Sequence, residues 1–481
     1  MNRIIYVEKR DECKYPDGNN LYHPSVLYPE YPFGEKFVSS MSNPIYDMVR
    51  ESLYGLGLDS IHFGKESWNP LGELINPGDT VVVKPNMVKE YNTKEEYEAA
   101  LTHPSVVRAA IDFCVIAKAG KIILGDSPIQ GANIDKIFQD CHYEEILSFY
   151  HSQNVEIEFI DFRDLVVTMN YNKRINIPLE AHNLQKNEHV IINLGKNSEH
   201  FSEGETYKYE IGGYVDKKIN EYHHGEEHNY VISKHVLEAD VIINLPKPKT
   251  HRFAGITGAQ KNFVGVCTDK ESLPHFKAGP KSAGGDETNQ DSLISKTIAY
   301  TYRKYLWSCK RKNYKCARFW CILYAIGCKL KNPHLFIHGA WYGNDTIWRT
   351  IIDLNMIILY ADKNGKLDLT KKKRRILTIG DMIVVGEKEG PLNPTPKPLG
   401  IILASRNCAV FDSVFCKMAG FDNTLIPLVN HSIKNEKLCE KKQNDINIYS
   451  NIEQWNDVPL IDFVFPQQVH LEPHPFWRDI L

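Results

Sequence analysis

The sequence lacks any run of about 18 consecutive apolar residues, which excludes a conventional transmembrane helix and leaves contact with a membrane surface open. It lacks an excess of either charge. Its 57 Lys and Arg against 60 Asp and Glu leave −3, too balanced for a surface that attracts polyanions throughout, and nucleic acid is not an expected partner. Its 11 cysteines contain no Cys-x-x-Cys pair, so no disulfide framework is expected and the thiols are read as reduced. The opening MNRIIYVEKRDECKYPDG has no apolar stretch of about 7–15 residues, so no secretory leader is expected; the expected location is cytoplasmic, or peripheral at an inner membrane surface. Gly-x-x-x-x-Gly-Lys-[Ser/Thr], Gly-x-Ser-x-Gly and a Gly-x-Gly-x-x-Gly after the first strand are absent, which removes the familiar phosphate, hydrolase and dinucleotide loops.

What is present is a globular composition, 42% hydrophobic and 24% charged, over 481 residues. Residues 79–84 and 121–126 read as buried parallel strands around a helix that starts at Pro104 and stops before Gly120, which is one right-handed βαβ unit. Apolar runs at 155–161, 188–194, 240–246, 375–381 and 400–405 read as further strands, and 408–418 as a helix. The class is α/β: a mostly parallel sheet with helices on both faces, plus a helical basic and aromatic insertion. The expected organisation is an N-terminal extension over 1–77, an α/β domain over 78–430 with insertions at about 195–230 and 296–340, and a C-terminal tail over 431–481. The second insertion reads either as a helix pair packed on the main domain or, through 310–331, as an interfacial element whose Lys/Arg collar meets anionic headgroups.

In open α/β sheets ligands bind beyond the carboxyl ends of the strands, so the polar residues there carry the chemistry. Four endings stand out: Lys84-Pro85-Asn86, Asp126-Ser127-Pro128, the run from Asn244 through Lys247, Lys249 and Thr250 to His251, and Asp381 followed by Glu387 and Glu389-Gly390-Pro391. Clustered lysines repel one another, so a negative partner is implied. It is either an internal carboxylate such as Asp126 or Asp381, or an anionic ligand. Thr257 to Gly265 holds Lys261 and Asn262 among glycines that let backbone N–H groups surround an anion.

Lys84-Pro85-Asn86, the Asn244–His251 run, Thr257-Gly258-Ala259-Gln260-Lys261-Asn262, residues 343–349, Glu389-Gly390-Pro391 and Phe411-Asp412-Ser413 together resemble the domain of unknown function 362 (DUF362) family from about residue 78 to 430. The resemblance implies a shared site and leaves the reaction unnamed. Some members carry a ferredoxin-like cluster domain, but the Cys-x-x-Cys-x-x-Cys run of such domains is missing, so no iron–sulfur cluster is expected.

The expected activity is that of an enzyme acting on an anionic, phosphorylated or carboxylated, small molecule or saccharide. His251, Lys249, Lys261 and Asp381 are the expected catalytic groups, and Lys84, Asn86, Lys247, Thr257, Asn262 and Arg349 the expected binding groups. Asp126, Asp345 and Glu389 are oxygen ligands suited to Mg²⁺ or Mn²⁺. Asp345, Arg349 and Asp353 are expected on one helix face. The alternatives are a redox metalloprotein, drawing on Cys309, Cys316, Cys321 and Cys328, or a membrane-surface accessory factor. Residues 221–230 hold enough His and Glu for zinc, although Gly225 weakens the helix that would align them.

Overall fold

The computed structural model describes residues 3–172, 175–183, 188–201, 208–212 and 218–481; side chains are described outside 167–187. The expected βαβ unit is present. Strand Thr80–Lys84 follows the turn at Gly78, helix Pro104–Ile116 begins behind an N-cap at His103, whose ring accepts from Ser105 N, and strand Lys121–Asp126 pairs in parallel with the first strand. Two further helices, Ile134–Asp140 and Tyr143–Ser152, lead to the parallel edge strand Ile157–Asp161. On the other side Val241–Asn244 and Arg375–Glu387 continue the parallel set, so five neighbouring strands run the same way. Their alternate residues go to opposite faces. Val81, Val83, Ile122, Leu124 and Ile243 pack under helices Pro44–Gly55, Pro104–Ile116 and Tyr143–Ser152, whereas Val82, Ile123 and Ile242 pack on Leu354, Ile357 and Ile358 of helix Ile347–Tyr360.

The sheet does not finish as the apolar runs suggest. Thr395–Ser405 lies antiparallel to Arg375–Glu387, a hairpin that the hydrophobic pattern does not distinguish from a crossover. Ile5–Lys9 pairs with its far side, and Asn447–Ser450 pairs in parallel with Ile5–Lys9. The segments read as an extension and a tail thus supply strands of the main sheet. The strand expected at 188–194 forms as His189–Asn193 but belongs to a separate three-stranded sheet with Glu227–Ser233 and His223–His224, which brackets the first insertion. The second insertion is a helical hairpin, Leu293–Lys310 and Tyr314–Leu330, started by a capping box between Ser292 and Ser295.

Candidate active site

The strand endings converge. Thr250 Oγ1 donates to Lys388 O at 2.9 Å, Arg252 N donates to Gly390 O at 3.2 Å, and Lys249 is in register with Gly386, so the Lys-Thr-His stretch and the Glu-Gly-Pro turn lie against each other. Asn86 links the first ending to the third by accepting from Lys249 Nζ at 2.8 Å. Asn262 accepts from Asn86 Nδ2 at 3.3 Å and donates to Asn244 Oδ1 at 2.8 Å, tying two strand ends to the loop after them.

Two of the expected anion-holding lysines already have carboxylates. Lys84 Nζ stands 2.7 Å from Asp126 Oδ1, and the other Asp126 oxygen accepts from Met87 N at 2.6 Å. Lys247 Nζ is 3.0 Å from Asp381 Oδ2 and donates to Tyr15 OH at 2.6 Å, while Tyr15 donates to Asp381 Oδ1 at 2.5 Å. His103 N also donates to Asp381, and the His103 ring stacks on Tyr15. All four ionic groups are buried. Burial lowers the pKa of both ammonium groups and the paired carboxylates oppose it. For Lys84 and Lys247 the internal ion pair is therefore the answer, and Asp381 is held among donors in place of facing a ligand.

The backbone N–H groups of the Thr257–Asn262 turn are likewise taken from within. Ala259 N and Gln260 N donate to Asp412 at 2.6 and 3.1 Å, and Gln260 Nε2 adds a third bond to that carboxylate at 3.0 Å. Asp412 is free to accept these bonds because its own helix, Cys408–Met418, is capped by Asn407, whose side chain accepts from Ala409 N and Val410 N. A Cβ at Gly258 would sit 2.2 Å from Asp412 Oδ1, and one at Gly265 would sit 1.9 Å from Asp126 Oδ1 and 2.6 Å from Lys84 Nζ. These two glycines admit internal carboxylates to the backbone.

What remains is a group of cations that no described carboxylate neutralises. Lys261 is partly exposed and makes no hydrogen bond or ion pair among the described residues; burial, with Lys270 and Arg252 beside it, pulls its pKa down to about 8. Lys270 donates to Val264 O at 2.9 Å and is also pulled to about 8, chiefly by burial. Arg252 leaves its buried Nε without a partner, and the groups that oppose the loss of its charge are Tyr302 and Tyr324 of the helical hairpin. Lys249 lies on Asn86 and the Ala100 carbonyl; burial depresses its pKa, and Lys247 and Lys261 add to that.

Three neutral imidazoles accompany these cations. His251 Nδ1 accepts from Phe253 N and Ala254 N at 3.1 and 3.2 Å, which places the proton of the neutral ring on Nε2; burial and the Lys261 charge hold its pKa well below the ordinary value. Burial takes His275 and His474 down to about 4. Arg252, Lys270, His275 and His474 were not singled out from the sequence; Arg252 and Lys270 flank chosen motifs, and that adjacency was the available signal. Thr257 is buried opposite Lys249 in the short hairpin and contributes backbone.

The acidic ligand set does not assemble. Asp345 accepts from Lys277 Nζ at 3.2 Å, Arg349 Nη2 at 3.1 Å and Trp348 Nε1 at 2.9 Å. Arg349 also donates to Glu199 O at 2.8 Å, so the Asp345–Arg349 pair braces the first insertion. Asp353 does not share that pair: it is fully buried and accepts from Ser198 Oγ, Tyr230 OH and Glu199 N. Helix Ile347–Tyr360 starts after Asp345, so the three residues do not line one face as expected. Glu389 is exposed on its turn, and among the described residues no three His, Cys, Asp or Glu gather as metal ligands. Asp126, Asp345 and Glu389 thus do not fit one divalent cation. His223 and His228 face each other across a β-hairpin, whereas His224 is exposed.

A cavity of about 300 Å³ opens beside His103, lined by Tyr22, Tyr97, Lys136 and His142. Another of about 430 Å³, lined by Gln260, Arg374 and Cys408, lies toward the start of the Arg375–Glu387 strand, the end of the sheet opposite Lys84 and Asp126.

The model of a family described as a domain of unknown function, DUF362, matches residues 81–207 and 203–417. A curated relative, the thylakoid-associated protein sll1697 of Synechocystis, is 25% identical over 235 residues, which cover 48% of this chain and 54% of the relative. The chain thus matches about half the length of that relative. Among solved structures, a Thermotoga maritima protein is 13% identical and covers 73% of this chain and 54% of its own. The lactate racemase apoprotein of Thermoanaerobacterium thermosaccharolyticum is 10% identical and covers 71% of this chain and 49% of its own. Both have a TM-score of 0.27, at which neither likeness carries an argument.

Proposed function

This chain belongs to the DUF362 family, and on that premise we propose that it is an enzyme acting on an anionic small molecule, phosphorylated or carboxylated, held beyond the carboxyl ends of the parallel strands. The observation that carries this reading is the contrast among the basic residues of that end. Lys84 and Lys247 are neutralised by Asp126 and Asp381, whereas Lys261 and Arg252 are desolvated without a carboxylate. Both cations are partly exposed, so their desolvation is incomplete, and an anion with oxygens in reach of both offsets what charge solvation they have lost.

In this reading Lys261, Arg252 and Lys270 hold the anion. Lys249 and Asn86 carry the wall, and Lys84–Asp126, Lys247–Asp381 and Asp412 keep the loops in place. His251 is the group that moves a proton. Its Nδ1 is committed to two backbone N–H groups, its Nε2 makes no bond within the described chain, and it is neutral at physiological pH, so Nε2–H donates to a developing negative charge. Lys261, with its pKa near 8, is the partner that exchanges a proton near neutrality. No metal-dependent step is derived, because the acidic residues chosen for it do not meet. Nor do the cysteines of the hairpin favour the redox reading, since burial raises the pKa of Cys309, Cys321 and Cys328.

Thermal melts with inorganic phosphate, sugar phosphates and dicarboxylates test the proposal. A ligand at about 100 times its Kd adds about 2.7 kcal/mol to stability, well within range of a melt. The expected result is a shift with one anion class that Lys261→Ala and Arg252→Ala abolish. The reading falls if no anion shifts the melt, or if both variants respond like the parent.

A further inference from the structure

We propose that the helical hairpin Leu293–Lys310 and Tyr314–Leu330 docks on an anionic lipid bilayer, a role independent of the anion site above. The inner sides of the two helices pack on each other: Tyr300 meets Trp320 edge-on with centroids 5.8 Å apart, Ala317 is buried, and Gly327 leaves room for Ile298. The outer side of the second helix is left with Phe319, Ile322, Ile326 and Leu330. Their spacing of three, four and four residues forms one stripe, and they are exposed by 56%, 53%, 47% and 71%. Single exposed apolar residues are ordinary, but a row of four along one face marks a contact surface.

The charge around the stripe selects the occupant. Between residues 292 and 344 the chain has ten Lys and Arg and no Asp or Glu. Lys310, Arg311, Lys312, Lys315, Arg318 and Lys329 are exposed at the turn and along the stripe, while Arg303 is drawn inward to Glu210 and Glu287. Trp307, also exposed, carries the Arg311 guanidinium 4.0 Å above its ring, the amphipathic pairing suited to a headgroup layer. A second copy of the chain would bring like charge against like charge. A nucleic acid would meet the cations and leave the apolar stripe in water. A bilayer with anionic headgroups satisfies both, with the helix lying in the interface plane. It does not need to cross: the second helix has 17 residues, and no single helix among the described residues is long and apolar enough to span a membrane.

Flotation of the full chain with vesicles tests this. Recovery is expected with phosphatidylcholine containing about 30 mol% phosphatidylglycerol and not with phosphatidylcholine alone, and it should fall when salt is raised from about 0.1 to 1 M. Ile322→Glu with Ile326→Glu, both at exposed positions, should weaken binding about tenfold or more, and Lys315→Gln with Arg318→Gln should weaken it by a smaller factor. Three results would overturn the proposal: no flotation with anionic vesicles, undiminished flotation of both double variants, or binding to duplex DNA or RNA in place of vesicles. Sedimentation showing a dimer that the Ile322→Glu, Ile326→Glu variant dissolves would also overturn it.

Discussion

Lys84 Nζ lies 2.7 Å from Asp126 Oδ1 where two neighbouring parallel strands end, with the side chains 0% and 3% exposed. Removing one member leaves the other buried and unpaired, so Lys84→Ala and Asp126→Ala should each cost about 3–5 kcal/mol, and the Lys84→Met, Asp126→Leu double variant less than either. Gly265→Ala should be destabilising for the same reason, since its methyl would force both side chains apart. Denaturant unfolding at neutral pH measures all four.

Asp412 should prove structural. Asp412→Ala strips one acceptor from three donors and should cost about 2–3 kcal/mol, whereas Asp412→Asn keeps one acceptor oxygen and should cost less. Burial raises the Asp412 pKa to about 7, so below that pH the folded parent takes up a proton that the unfolded chain does not, the parent gains stability, and the deficit of the Asn variant should widen as the pH falls. Parallel thermal melts at pH 6 and pH 8 check both points.

Lys261→Met should separate binding from stability. It removes a desolvated charge without breaking any bond among the described residues, so the melting temperature should hold or rise by an amount worth about 1 kcal/mol while the anion-dependent shift vanishes. A variant that loses stability in proportion to binding would contradict the assigned role.

Anion binding should take up protons at pH 8. Lys261 and Lys270 both titrate near 8, and a nearby negative charge favours their ammonium forms. Calorimetric titrations in two buffers of different ionisation enthalpy should report uptake at pH 8 and little at pH 6, and affinity should weaken as the pH rises above 8.

On the acid side, the buried histidines set the direction. His275 and His474 titrate near 4 in the folded chain against 6.5 in the unfolded one, and His103 and His251 are also held well below 6.5. The unfolded state therefore binds more protons below 6.5, and stability, full above that pH, should decline as the pH falls from about 6.5 toward 4. Buried acids such as Asp412 and Asp286 contribute the opposite slope, so thermal melts across that interval compare the parent with His275→Gln and His474→Gln, each of which should lose less stability than the parent between pH 6.5 and 4; variants with the parent's slope would mean these rings are not buried neutral.

The local grammar was legible. Apolar runs after Gly78 and Gly120, a helix opened by Pro104 and a second insertion rich in aromatic and basic residues led directly to the parallel set and the hairpin. The antiparallel return of Thr395–Ser405 was not legible, because a strand buried on both faces has the same composition in either direction. Nor was the edge role of Ile5–Lys9, whose partner lies about 400 residues away.

The sequence by itself determined which residues gather at the carboxyl ends of the strands, since chain order and hydrophobic period together decide where each strand stops. It did not determine which lysine is neutralised. Lys84 and Lys247 are as basic as Lys261, but they find Asp126 and Asp381 across 42 and 134 residues of chain, while no described carboxylate reaches Lys261. Only the tertiary structure decided that, because the free energy of a charge depends on what surrounds it in space, and burial makes the difference between a paired and an unpaired ammonium worth several kcal/mol.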